Sequence, residues 1–187
     1  MRAAGVEPEV VAPDVDERAV DAPTPAGLAE LLADRKCAEV ATRLTDRNGP
    51  ALVIGGDSVL ELNGRAYGKP ADADEAVRRW HSMRGREGVL HSGLSVRLTG
   101  GTEARQRSAV SSAVVRFADL DDEEVEAYVA TGEPLGVAGA FTIDGLGGAY
   151  VRGIDGDPHT VVGLSLPLLR ELVGELGIRW HELWRSK

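Results

Sequence analysis

The chain has 187 residues, 43% of them apolar but only 4% aromatic, and its formal net charge is −9. That length suits one sizeable domain whose core is built from Val, Leu, Ala and Ile. The acidic balance argues against general nucleic-acid binding, which needs basic stripes to neutralise phosphates. It leaves room for a small phosphorylated ligand held in one local basic pocket.

The first stretch, "VEPEVVAPDVDE", alternates and is broken by prolines, and reads as a strand running into a loop. A helix follows from Thr24 with Pro25 in its first turn, a position where a missing N–H costs nothing. The single cysteine, Cys37, falls within it. It rules out an internal disulfide or a thiolate-rich metal site and reads as a small core residue. "ALVIGGDSVLEL" reads as a strand ending at Gly55-Gly56, followed by a second short strand. Asn63-Gly64 is the strongest hairpin signal in the chain. "ADADEAVRRWHSMRG" predicts a helix with an Asp cap, closed by Gly85.

"GVLHSGLSVRL" and "SAVSSAVVRFADL" alternate and predict neighbouring strands, joined by the polar connection "TGGTEARQR". "DDEEVEAYVATG" predicts a helix whose acidic first turn suits the positive end of the helix dipole. "GAFTIDGLGGAYVRGIDGD" reads as two strands around a glycine-rich turn, and "SLPLLRELVGELGI" as a final helix. The tail "RWHELWRSK" is amphipathic. Hairpins among helices argue for a mixed α/β fold and against a purely parallel, doubly wound sheet. No apolar run approaches the ~20 residues of a membrane span. The opening residues do not read as a secretory signal. The expectation is a single domain over 1–187, cytoplasmic, with neither nucleic acid nor membrane as partner.

The chemistry concentrates in "VIGGDSVLELNGRAYGKP". Asp57 at the end of a buried run is a candidate metal ligand or general base on a water, or simply a turn cap. Lys69 stands between Gly68 and Pro70, so a rigid turn presents one cation, as a phosphate requires. An exposed turn lysine is the plainer alternative. Asp16 and Glu17 form a second carboxylate pair that, with Asp57, could make a magnesium or manganese site. Glu133 and Asp144, in a glycine-dense segment, are candidate polar groups lining a pocket, or else turn residues. That segment is not a G-x-G-x-x-G between strand and helix, which excludes a dinucleotide fold. The four histidines show no paired ligand spacing, and no G-x-S-x-G occurs, so a zinc site and a serine hydrolase are both disfavoured.

Taken in order, "VDE", "GGDSV", "NG", "GKP", "TGEP", "AGAFTIDG" and "VVGLSLP" resemble the Maf family over about Ala3 to Gly177. The resemblance implies an ITPase-like α/β fold, with a central twisted mixed sheet flanked by helices and two lobes around a cleft. It implies hydrolysis of a nucleoside triphosphate, typically non-standard or pyrimidine, to the monophosphate and pyrophosphate. A divalent cation (Mg, Mn or Co) would assist. Asp57 matches the family's proton acceptor, Lys69 the lysine of its G-K-P, Glu17 the glutamate of its D-E and Lys36 a lysine assigned to substrate contact. The resemblance also implies a homodimer. Family members open with a strand and an S-x-S-P-R-R loop. "MRAAGVEPEV" corresponds to the segment after it, so the expected true start lies upstream. Asp144 stands where the family has glutamine and Ala113 where it has threonine. The alternatives are a catalytically inactive nucleotide-binding or regulatory paralogue of the same fold, or a plain scaffold domain.

Overall fold

The structure is a computed structural model that describes residues 1–44, 49–100 and 105–184. Part of the predicted polar connection (101–104) and the last three residues of the tail lie outside the described residues. Five strands form one sheet: β1 Leu52–Leu62, β2 Arg65–Tyr67, β3 Glu87–Leu98, β4 Arg105–Phe117 and β5 Val151–Asp155. Their order is β2-β1-β3-β4-β5, and every pairing among them is antiparallel. Asn63 (φ 50°) and Gly64 (φ 75°) make the β1–β2 turn, both in the left-handed region that such a two-residue hairpin demands.

Helix α1, Pro25–Arg43, lies on one face of the sheet, where Cys37, Val40 and Ala41 pack against Val53. Two glycines let it lie close. A Cβ on Gly93 would meet Ala29 O at 2.2 Å, and one on Gly55 would meet Ala33 O at 2.5 Å. The opposite face carries α2 Ala73–Met83, α3 Asp122–Ala130, α4 Pro158–Val162 and α5 Leu166–Glu175. There the chain spends its scarce aromatics. Trp80 is fully buried, edge-on to Phe117, Tyr128 and Tyr150, and its indole N–H donates to Ala140 O at 2.8 Å. A second, aliphatic cluster joins α5 to Leu94 and Val96.

The helix predictions agree closely with the structure: Thr24, Asp72 and Asp121 cap α1, α2 and α3, and Gly85 (φ 70°) follows α2. Three strand expectations are corrected. β1 does not stop at Gly55-Gly56 but runs straight through them, because antiparallel pairing continues from Leu52↔Leu98 to Glu61↔Val89. The predicted N-terminal strand is a loop with two short 3-10 turns, Arg2–Ala4 and Glu17–Ala19, its alternation interrupted by Pro8 and Pro13. In the glycine-rich segment only β5 is a strand. The residues before it form 3-10 turns, among them Ala138–Ala140 and Leu146–Tyr150, because Gly139 (φ 75°) and Ala140 (φ 61°) leave the extended region.

β2 pairs only with Leu60–Leu62, so among the described residues Leu52–Val59 has a strand partner on the β3 side alone. No helix among the described residues is long and apolar enough to cross a membrane.

Candidate active site

Asp57 sits in the middle of β1, not past its end. Side chains alternate across a strand, so Asp57 shares its face with Gly55 and Val59 and points to the α1 side, while Gly56 and Ser58 face the other way. Its register partner on β3 is Gly93, where the backbone of α1 approaches, so nothing bulky crowds the carboxylate from that strand. On α1, Leu28, Leu32 and Lys36 recur at four-residue spacing and line one wall of a cleft of about 1280 Å³. Lys36 ends that row and donates from Nζ to Asp57 Oδ1, while also pairing with Glu17 Oε1 at 2.6 Å. Glu17 is delivered by its 3-10 turn, which Asp16 caps by accepting from Arg18 N–H.

The electrostatics of this triad are unequal. Burial pushes the Asp57 carboxyl above its ordinary value, and the adjacent Lys36 only partly offsets that. For Lys36, burial alone would lower the pKa, but the hydrogen bonds it donates to Asp57 and Glu17 outweigh that and the ammonium titrates higher than usual. Asp57 is thus a more basic carboxylate than normal, beside a lysine that stays charged.

Lys69 faces the same cleft from the Gly68–Ala71 turn. It is exposed, has no ion-pair partner among the described residues, and exerts a further lowering pull on Asp57. Asp144 lines the far side with Gly136–Ala138, Phe141 and Thr142. Val161–Leu164 also line the cleft. Serine 92, fully buried, anchors that segment by donating to Thr160 O at 2.8 Å, and its hydroxyl also meets Ser58 Oγ at 2.7 Å.

Glu133 is the one predicted site residue that the structure does not bring to the cleft. Its carboxylate accepts from Tyr128 Oη (3.0 Å), Thr142 Oγ1 (2.6 Å), Leu146 N (2.9 Å) and Gly147 N (3.0 Å). The Thr142 hydroxyl and then the Gly147 and Leu146 amides hold its pKa down to about 2. It staples the loop that carries Asp144. Glu133→Ala therefore strands four donors at a half-buried site and should cost about 2 kcal/mol. For a domain of this size that is a fall in Tm of roughly 4–8 °C by scanning calorimetry. The sign of the pH dependence follows from the lowered value. The carboxylate contributes stability above its ordinary pKa of 4.5 and loses it as pH falls toward 2, so the gap between wild type and variant should close over that window.

Among the described residues no three His, Cys, Asp or Glu side chains cluster as a ready-made metal site. Two carboxylates, Asp57 and Glu17, do converge on one point at Lys36 Nζ. Two hard oxygen donors facing a cleft fit a magnesium-like cation, which takes one or two carboxylates and completes its shell with water and substrate phosphates.

The chain is similar to known proteins over nearly its whole length. The chain is 55% identical over 184 residues to a nucleoside triphosphate pyrophosphatase of Streptomyces coelicolor, covering 98% of this chain and 87% of that protein. It is 52% identical over 187 residues to one from Streptomyces avermitilis, covering 100% and 89%, and 45% identical over 196 residues to one from Mycobacterium marinum, covering 100% and 91%. The family described as Maf-like protein matches residues 1–176, nearly the whole chain, and the chain belongs to that family.

Proposed function

We propose that the chain is a nucleoside triphosphate pyrophosphatase, hydrolysing its substrate to the nucleoside monophosphate and pyrophosphate with Asp57 as general base. The observation that carries this reading is the convergence of a basic, half-enclosed carboxylate with Lys36, Glu17 and Lys69 on one cleft. The names of the relatives support the same activity. In this reading Lys69 and Lys36 bind the phosphates, and Lys36, released from Asp57 as the triphosphate enters, frees that carboxylate to accept a proton from water. The water oxygen bonds to the α-phosphorus, the bond to the bridging oxygen breaks, and pyrophosphate leaves with its electron pair. Asp57 and Glu17 would hold a divalent cation, which when bound supplies charge neutralisation to the polyphosphate. Asp144, an acceptor unless protonated, would face the base and favour an exocyclic amine over a carbonyl.

The test is product identity. Incubated with a panel of nucleoside triphosphates and magnesium, manganese or cobalt, the chain should release monophosphate and pyrophosphate in equal amounts. Release of orthophosphate and the diphosphate, or no turnover of any nucleotide, would remove the reading.

A further inference from the structure

Helix α2 is tied to the Lys69 turn by a buried arginine. Arg79 is buried, only 5% exposed, although it lies on a helix rich in charge. Its Nη1 donates to Gly68 O at 2.5 Å, and its Nη2 donates to Glu75 Oε1 at 2.5 Å, one helical turn away. The other oxygen of Glu75 accepts from Ala71 N at 2.9 Å. The Arg79–Glu75 pair therefore holds both ends of the four-residue turn Gly68–Lys69–Pro70–Ala71. Gly68 O also accepts from Gly139 N at 3.1 Å, which ties the same turn to the opposite wall of the cleft. The guanidinium lies 5.1 Å from the ring centroid of Tyr67, which closes the third side.

This arrangement is poorly suited to stability alone. Burying a guanidinium carries a large desolvation cost, and here Nε has no hydrogen-bond partner among the described residues. An apolar side chain of similar volume would fill the space at lower cost. What only arginine supplies is a planar fork whose two arms leave in fixed directions, one to a backbone carbonyl and one to a carboxylate. The pairing also has an electrostatic result. Glu75 lies at the cleft but is neutralised by Arg79, so it does not compete for the ammonium of Lys69.

We propose that Arg79 and Glu75 are positioning residues that act through Lys69, fixing the turn so that its ammonium meets the polyphosphate without first being ordered by it. The proposal rests on the hydrolase reading for the identity of the ligand, but not for the geometry of the turn. A merely structural arginine would weaken every function of the fold alike, whereas a positioning one matters only while Lys69 is there to be positioned.

The experiment is a double-mutant cycle on the full chain with Arg79→Met, Lys69→Ala and the pair, read by kcat/KM for a nucleoside triphosphate and, separately, by calorimetric titration with magnesium pyrophosphate. Arg79→Met is expected to lower kcat/KM and pyrophosphate affinity 10- to 100-fold in the wild-type background, and less than twofold when Lys69 is already alanine. Arg79→Lys, which cannot fork, should not rescue. Equal losses in both backgrounds would overturn the proposal. If Arg79→Met does not fold by thermal melting, Glu75→Ala, which releases Ala71 N at an exposed position, carries the same cycle with the same expectation. A wild type without turnover removes the hydrolase reading yet leaves the pyrophosphate cycle legible. A wild type that binds no pyrophosphate overturns the positioning role as well.

Discussion

Asp57→Asn is expected to lower kcat by about 10³-fold while leaving the fold intact, the scale that loss of a positioned general base produces. The substitution keeps the shape of the side chain and removes its charge, and with it the ability to take a proton and to pair with the Lys36 ammonium. Its effect is separable from unfolding because of the direction of the pKa shift. Burial raises the Asp57 pKa, so the folded protein disfavours the ionised form, and asparagine relieves that cost. The contribution of the ionised group to stability falls as pH rises through its folded pKa, so at neutral pH the variant should melt at the same temperature or higher. The same shift predicts a pH signature. In wild type kcat/KM should rise with pH as the free carboxyl ionises, along a limb displaced above the ordinary carboxylate range, and that limb should vanish in the asparagine variant. Pyrophosphate release within tenfold of wild type, with its acid limb intact, would show that another group accepts the proton.

Two adjacent glycines make the second prediction, because one residue reverses the outcome. On Gly55 a Cβ would sit 2.5 Å from Ala33 O and 2.7 Å from both the amide nitrogen and the Cβ of Cys37, all atoms of α1 that cannot swing aside. On Gly56 the nearest atom would be Leu94 Cδ2 at 3.5 Å, an ordinary contact. Gly55→Ala should therefore cost about 3 kcal/mol as α1 is forced off the sheet. That corresponds to a fall in Tm of roughly 6–12 °C. Lys36 rides on α1, so the displaced helix should also separate it from Asp57 and lower activity in whatever protein remains folded. Gly56→Ala should shift Tm by no more than about 2 °C, since the lost flexibility of the unfolded chain offsets any small crowding. Equal melting temperatures for the two variants would mean that α1 has slack the structure does not show.

The contrast between these glycines also marks where sequence reading stops. "VIGGDSV" offers a turn dipeptide, and a turn is the reading that local propensity favours. What keeps the chain extended is a ladder of ten pairings with β3 and a helix lying on Gly55, both non-local. The N-terminal alternation fails for the complementary reason: its pattern suits a strand, but among the described residues no ladder partner meets it. Helix caps and the Asn63-Gly64 turn were legible because the residues that make them are also the residues that bond. In the site, Asp57 and Lys69 stood out on local grounds, and Glu17 as part of a carboxylate pair that could share a metal with Asp57, while Lys36 emerged only through the family resemblance, since nothing in its own segment says that it reaches Asp57. Arg79 was hidden because "EAVRRWHSM" reads as an ordinary charged helix face. The signal was the Glu75–Arg79 spacing directly after the glycine–lysine–proline turn.

The order of strands in the sheet has a kinetic meaning. β1–β2 and β3–β4 join strands adjacent in sequence, whereas β1–β3 joins residues 28 to 46 apart, from Glu61↔Val89 to Leu52↔Leu98. β5 pairs with β4 across 34 to 41 residues, from Phe117↔Val151 to Val114↔Asp155, while Lys36 on α1 lies only 21 residues from Asp57. Loop-closure entropy favours the short-range pairings first. Lys36 and Asp57 thus meet across a shorter loop than any pairing of β1 with β3, so the central ion pair of the cleft is a comparatively local product of folding. Lys36 bridges the carboxylates of Glu17 and Asp57, and the site is complete only when α1 has docked on β1.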